Sequence, residues 1–240
     1  DSGGSIMLHD EESDCIVCSF GKYIDDLAVD PDNHDQYLDC KSCEVGKYLE
    51  DDSIDGANHD SSADCLVCEK GMYNNEIGRP ACKICIQGRY NSDTSSNASK
   101  HDALDDCVLC GIATYIADDA SDVTKHDEAA DCKICPKGSW NDVTGQSVCK
   151  SCAKGRYLDD DGLTLSLHEE ANNCKICTIG RYNDDDGTSF SLHDELSDCT
   201  ICPGGTYLTA DGTDVTKHDH VSDCQVCEAG KVILDSSITV

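Results

Sequence analysis

A tandem array of small disulfide-rich repeats, mostly short β-hairpins and loops in an elongated solenoid-like rod, is the fold class this sequence predicts. Three observations carry the prediction. All 20 cysteines fall into ten C-x-x-C pairs, beginning at Cys15, Cys40, Cys65, Cys82, Cys107, Cys132, Cys149, Cys174, Cys199 and Cys224, spaced 25 or 17 residues apart. An aromatic recurs five residues after the second cysteine of nine pairs. Two Phe and one Trp in 240 residues cannot fill a large core, so covalent staples must replace it.

The period is itself structured. The steps run 25, 25, 17, 25, 25, 17, 25, 25, 25, a 67-residue super-repeat whose third copy replaces its short unit with a long one. This divides the chain into residues 1–81, with a truncated leading module, 82–148, and 149–240, with a long final unit and a truncated trailing module. The aromatic series is Tyr23, Tyr48, Tyr73, Tyr90, Tyr115, Trp140, Tyr157, Tyr182 and Tyr207, ending in Val232. One aromatic per module is read as the cap of a disulfide core rather than a glycan-stacking stripe. Gly precedes it by two residues in nine modules, pointing to a tight or positive-φ turn, and Ala113 in the tenth implies that this turn is not obligatory.

Each long unit adds a His six residues before its C-x-x-C: His9, His34, His59, His101, His126, His168, His193 and His218. An acid follows every one, Glu169 once and Asp otherwise, and Asp stands directly before the cysteine except at Asn173. Eight near-identical copies without a nucleophile motif suit a structural turn or inter-unit hydrogen bond better than a metal contact or a catalytic base. Helical periodicity is absent, and one helical turn is expected over 125–131, with Thr124 as its cap. Asp/Gly clusters such as Asp159–Gly162 read as turns.

Charge narrows the partners. Eighteen basic against 48 acidic residues give a net −30, which excludes a basic nucleic-acid footprint and disfavours anionic membranes. No apolar run approaches a membrane span. Cysteine density points to an oxidising, extracellular or cell-surface setting. Calcium is a possible ligand of clusters such as Asp184-Asp185-Asp186-Gly187, although the ordered EF-hand loop is missing, and no other cofactor is indicated. Asn97-Ala98-Ser99 is the single N-glycosylation sequon.

Cys68-x-x-Gly71-x-Tyr73 followed by Gly78, Cys82 and Cys85, repeated at Cys135, Gly138, Trp140, Gly145, Cys149 and Cys152, resembles the ephrin-receptor-like cysteine-rich repeat, itself similar to tumour-necrosis-factor-receptor modules. Arrays carrying the additional His-Asp insertion are similar to surface or flagellar-hair proteins of microalgae. The resemblance implies no catalytic residues. It implies bridges Cys18–Cys40, Cys43–Cys65, Cys68–Cys82, Cys85–Cys107, Cys110–Cys132, Cys135–Cys149, Cys152–Cys174, Cys177–Cys199 and Cys202–Cys224. On the chain-entropy estimate each would stabilise by roughly 3 kcal/mol. From spacing alone four-cysteine zinc sites stay open, although three pairs per super-repeat do not divide into two-pair sites.

Cys15 and Cys227 are left over, in complementary half-modules, and are expected to link one copy to the next. The expected function is a non-enzymatic extracellular structural protein that forms or contributes to a filament or cell-surface fibril, with end-to-end copies and glycans as partners. The alternative is a receptor or adhesion ectodomain binding a protein or glycan, with or without calcium.

Overall fold

The computed structural model describes residues 12–26, 31–51 and 54–233. The first of the eight histidines, His9, lies outside them. Regular structure consists of nine two-stranded sheets and of 3-10 turns, each strand two residues long and each turn three. No α-helix occurs among the described residues.

Each module is described from the second cysteine of a pair. Four and five residues on come the strand residues, which face the two residues inside the next C-x-x-C in antiparallel register. Lys22 faces Ser42 and Tyr23 faces Lys41; Trp140 faces Lys150, and Tyr157 faces Lys175. The strands end early because their flanks are already committed. The cysteine after the second strand donates its amide to the carbonyl of the glycine before the first, as in Cys43 to Gly21 at 2.8 Å and Cys177 to Gly155 at 2.9 Å. A disulfide then closes each module: Cys18–Cys40, Cys43–Cys65, Cys68–Cys82, Cys85–Cys107, Cys110–Cys132, Cys135–Cys149, Cys152–Cys174, Cys177–Cys199 and Cys202–Cys224.

The described residues form two compact units, one lying within 1–85, 90–108 and 120–128, the other within 86–89, 109–119 and 129–240. In the first, Tyr23 packs against Cys43, Leu49 and Cys65, and Tyr73 against Cys85 and Cys107. In the second, Trp140 packs against Cys152, Leu158 and Cys174, and Tyr157 against Cys177 and Cys199. The aromatic of one module therefore covers the disulfide of the next, and sulfur takes the place of an aliphatic core. Lys150 lies 4.8 Å above the Trp140 ring, closing its outer face.

Two sequence expectations are corrected. The helical turn read over 125–131 with Thr124 as cap is two 3-10 turns, Val123–Lys125 and Ala129–Asp131; Thr124 lies inside the first, and Asp122 is its cap. A run this short, broken at His126, cannot reach the first i to i+4 bond of an α-helix before its donors are taken. Ala113, which suggested that a positive φ was optional, itself adopts φ +62° while wholly buried. The turn is needed in that module too, and alanine accepts the left-handed conformation there.

Candidate functional site

The chemistry-bearing side chains converge on a clamp between consecutive modules. Six histidines of the long modules are buried: His59 is 2% exposed, and His101, His126, His168, His193 and His218 are fully enclosed. Each of these rings sits where its first 3-10 turn ends, as at His59 after Gly56–Asn58 and His168 after Leu165–Leu167.

From this seat the histidine grips the strand of the module before it twice. Its backbone carbonyl accepts an amide, as His168 does from Asn141 at 2.8 Å and His193 from Leu158 at 2.8 Å. Its ring Nδ1 donates to a strand carbonyl two residues earlier: His59 to Lys22 at 2.6 Å, His101 to Met72 at 2.8 Å, His168 to Ser139 at 2.7 Å, His193 to Arg156 at 2.8 Å and His218 to Arg181 at 2.9 Å. The other nitrogen, Nε2, meets an aspartate eight residues back in its own module. The pairs are His59 with Asp51 at 3.1 Å, His101 with Asp93 at 3.2 Å, His168 with Asp160 at 3.0 Å and His193 with Asp185 at 2.9 Å. His34, about one-third exposed, keeps a looser version with Asp26 at 3.4 Å.

A carbonyl and a carboxylate only accept, so each intact ring is held between two acceptors, one on each nitrogen. The partner carboxyls respond. The His168 hydrogen bond holds Asp160 below the usual carboxylate range, helped by the Thr164 and Gly162 amides. Burial alone would raise Asp93, but hydrogen bonds from His101 and the Ser96 amide bring it below that range.

The short modules have no histidine, and there the clamp is made by asparagine. The Asn74 side-chain amide donates to the Lys47 carbonyl at 2.6 Å, and Asn141 to Thr114 at 3.0 Å, both asparagines being fully buried. These two residues escaped the reading of the sequence. Their signal was an Asn six residues after the second cysteine in both modules that lack the His segment.

The aspartate before the cysteine has a separate task. Its side chain caps the second 3-10 turn, accepting the amide three residues back: Ala103 to Asp106 at 2.8 Å, Glu195 to Asp198 at 2.9 Å and His220 to Asp223 at 3.0 Å. Asn173 substitutes without loss, accepting from Glu170 at 3.0 Å. In the second turn of the Cys177 module the capping acid sits beside Asp194, whose carboxyl is pushed up by burial, by the Asp198 hydrogen bond and by the Asp198 charge.

Of the remaining sequence candidates, Asn97 is exposed and caps the Ala98–Lys100 turn through Oδ1, which accepts the Ser99 amide at 3.0 Å. In the Asp184–Asp186 cluster, Asp185 accepts the Gly187 amide as well as the His193 ring, and Asp186 the Thr188 amide. Among the described residues no group of three or more His, Cys, Asp or Glu gathers as a metal site. Cys15 is exposed and Cys227 half-buried, both outside the nine disulfides. No helix among the described residues is long and apolar enough to cross a membrane. Comparison with protein-family models and with curated proteins finds no match to this chain.

Proposed function

We propose that the chain is a non-enzymatic extracellular structural protein, a disulfide-stapled repeat that forms or contributes to a filament or cell-surface fibril. The observation that supports this reading is the direction of the polar apparatus. The buried His and Asn side chains that catalysis or binding would require are turned onto the carbonyls of the preceding module, and the cysteines are joined in tandem. Nine disulfides persist only in an oxidising environment, which fits a secreted or surface-exposed molecule.

Copies are proposed to join end to end through Cys15 and Cys227, with a glycan on Asn97, the exposed cap of its turn. Such a head-to-tail contact does not close on itself and propagates. The reading predicts ladders of covalent multimers on non-reducing gels after incubation at oxidising potential, and fibrils by negative-stain electron microscopy. Both should vanish in Cys227→Ser. A strictly monomeric protein with both thiols still free would overturn it.

A further inference from the structure

His218 occupies the same seat as the other clamp histidines. Its Nδ1 donates to Arg181 at 2.9 Å, its carbonyl accepts the Asn183 amide at 2.9 Å, and the ring is fully enclosed. One feature of the seat differs. The residue eight before it is Ala210, where the intact clamps carry Asp51, Asp93, Asp160 and Asp185. In consequence His218 Nε2 is a buried polar atom with no hydrogen-bond partner.

We propose that the niche between Ala210 and His218 Nε2 is a binding site for a small carboxylate. The intact modules show the occupant in place, a carboxylate oxygen 2.9–3.2 Å from Nε2. With Nδ1–H committed to the Arg181 carbonyl, Nε2 donates to a carboxylate only when one proton is taken up together with the anion, and that pair satisfies a nitrogen whose isolation costs free energy. The site is reachable. The aspartates of the intact clamps keep 16–24% of their side-chain surface in solvent, so a carboxylate standing there is approached from outside without unfolding. Ala210 is itself partly exposed.

Negative neighbours do not forbid it. Asp211 and Asp214 are the acids whose charges reach His218, while the occupied seat of His168 lies within Asp159-Asp160-Asp161 and that of His193 within Asp184-Asp185-Asp186. Size selects the ligand. The Ala210 methyl already stands where the aspartate Cβ would be, so the absent group is a bare carboxylate, matched by formate. Acetate brings a second methyl into the place that Ala210 fills. A ligand of three heavy atoms binds no tighter than about millimolar. One misplaced methyl should weaken acetate by roughly tenfold or more.

The test is long-range 1H–15N NMR of the histidine rings in the full chain, titrated with sodium formate, sodium acetate or sodium chloride at equal ionic strength. Formate should move the His218 ring nitrogens saturably toward the positions of His168 and His193, which serve as internal controls and stay fixed. Acetate should act roughly tenfold more weakly, and chloride should have no effect. In Ala210→Asp the His218 ring should start at the formate-bound position and ignore formate. A second series without formate raises the protein concentration. Movement of His218 there identifies the carboxylate as one from another copy, and its absence identifies the free ion as the source. No saturable shift of the His218 ring in either series, or equal shifts at His168 and His218, would overturn the proposal, whether or not the variant folds.

Discussion

A single buried histidine joins three chain segments in this protein through its ring and its backbone carbonyl, and its carboxylate partner makes the joint acid-sensitive. His168 bonds the Ser139 carbonyl, the Asn141 amide and the Asp160 carboxylate. His168→Ala would leave the Ser139 carbonyl and the Asp160 carboxylate without their ring partner, at about 1–3 kcal/mol for each unsatisfied group, and would loosen the seat of the residue-168 carbonyl that accepts the Asn141 amide. We predict loss of amide-exchange protection at Asn141. The Cys202 module should be unaffected, because contacts are between neighbours. Acid should produce the same loosening reversibly. The carboxyl of Asp160 is depressed in the folded state, so its contribution is complete above the ordinary carboxylate value near 3.9 and disappears as pH falls through the lower folded value. Protection at Asn141, corrected for intrinsic exchange, should hold from pH 7 to about 4 and fail below, and Asp160→Asn should remove that acid step. Asp194 has the opposite sign, since its raised carboxyl opposes folding when ionised. Asp194→Asn should therefore stabilise the Cys177 module at neutral pH, as read by exchange in that module.

The turn before each aromatic strand decides how closely modules stack. A Cβ added at Gly138, where φ is +72°, would lie 2.1 Å from the Phe190 carbonyl oxygen; at Gly205, where φ is +81°, it would meet nothing within 4 Å. Ala113 shows that an alanine can hold the left-handed conformation here. Gly205→Ala should thus cost only the backbone term, about 1 kcal/mol, whereas Gly138→Ala must displace the turn carrying His193 and should unseat that clamp. Differential scanning calorimetry of the two variants gives the comparison, and equal shifts would contradict it.

The same elements show what was legible in the sequence. Hairpins, turns and the repeat were readable because cysteine, glycine and aromatic residues recur at fixed positions. An inter-unit hydrogen bond from the histidines was readable from their repetition, but its partner was not, since the main acceptor is a backbone carbonyl 29 or 37 residues away, and a carbonyl leaves no mark in the choice of residue. The helical turn was misplaced for a related reason: Thr124 and Asp122 are both plausible caps by composition, and only the position of the turn separates them.

Across the whole molecule, local rules repeated many times replace a common core. A net charge of −30 opposes dense assembly, so salt or divalent cations should promote bundling of the proposed fibrils, measurable by light scattering. No change between low and high salt would remove self-repulsion from the account. Because each disulfide ties a module to the start of the next, Cys110→Ser/Cys132→Ser should loosen its own and adjacent modules while the Cys202 module keeps its protection. The central claim is that this tandem covalent pattern, rather than metal or a hydrophobic core, holds the repeats. Peptide mass mapping of the unreduced, alkylated protein tests it most directly. The account predicts cross-linked peptides joining Cys43 to Cys65, Cys110 to Cys132 and each corresponding pair, with no metal retained. Disulfides within a C-x-x-C, or reduced cysteines accompanied by stoichiometric zinc, would contradict it.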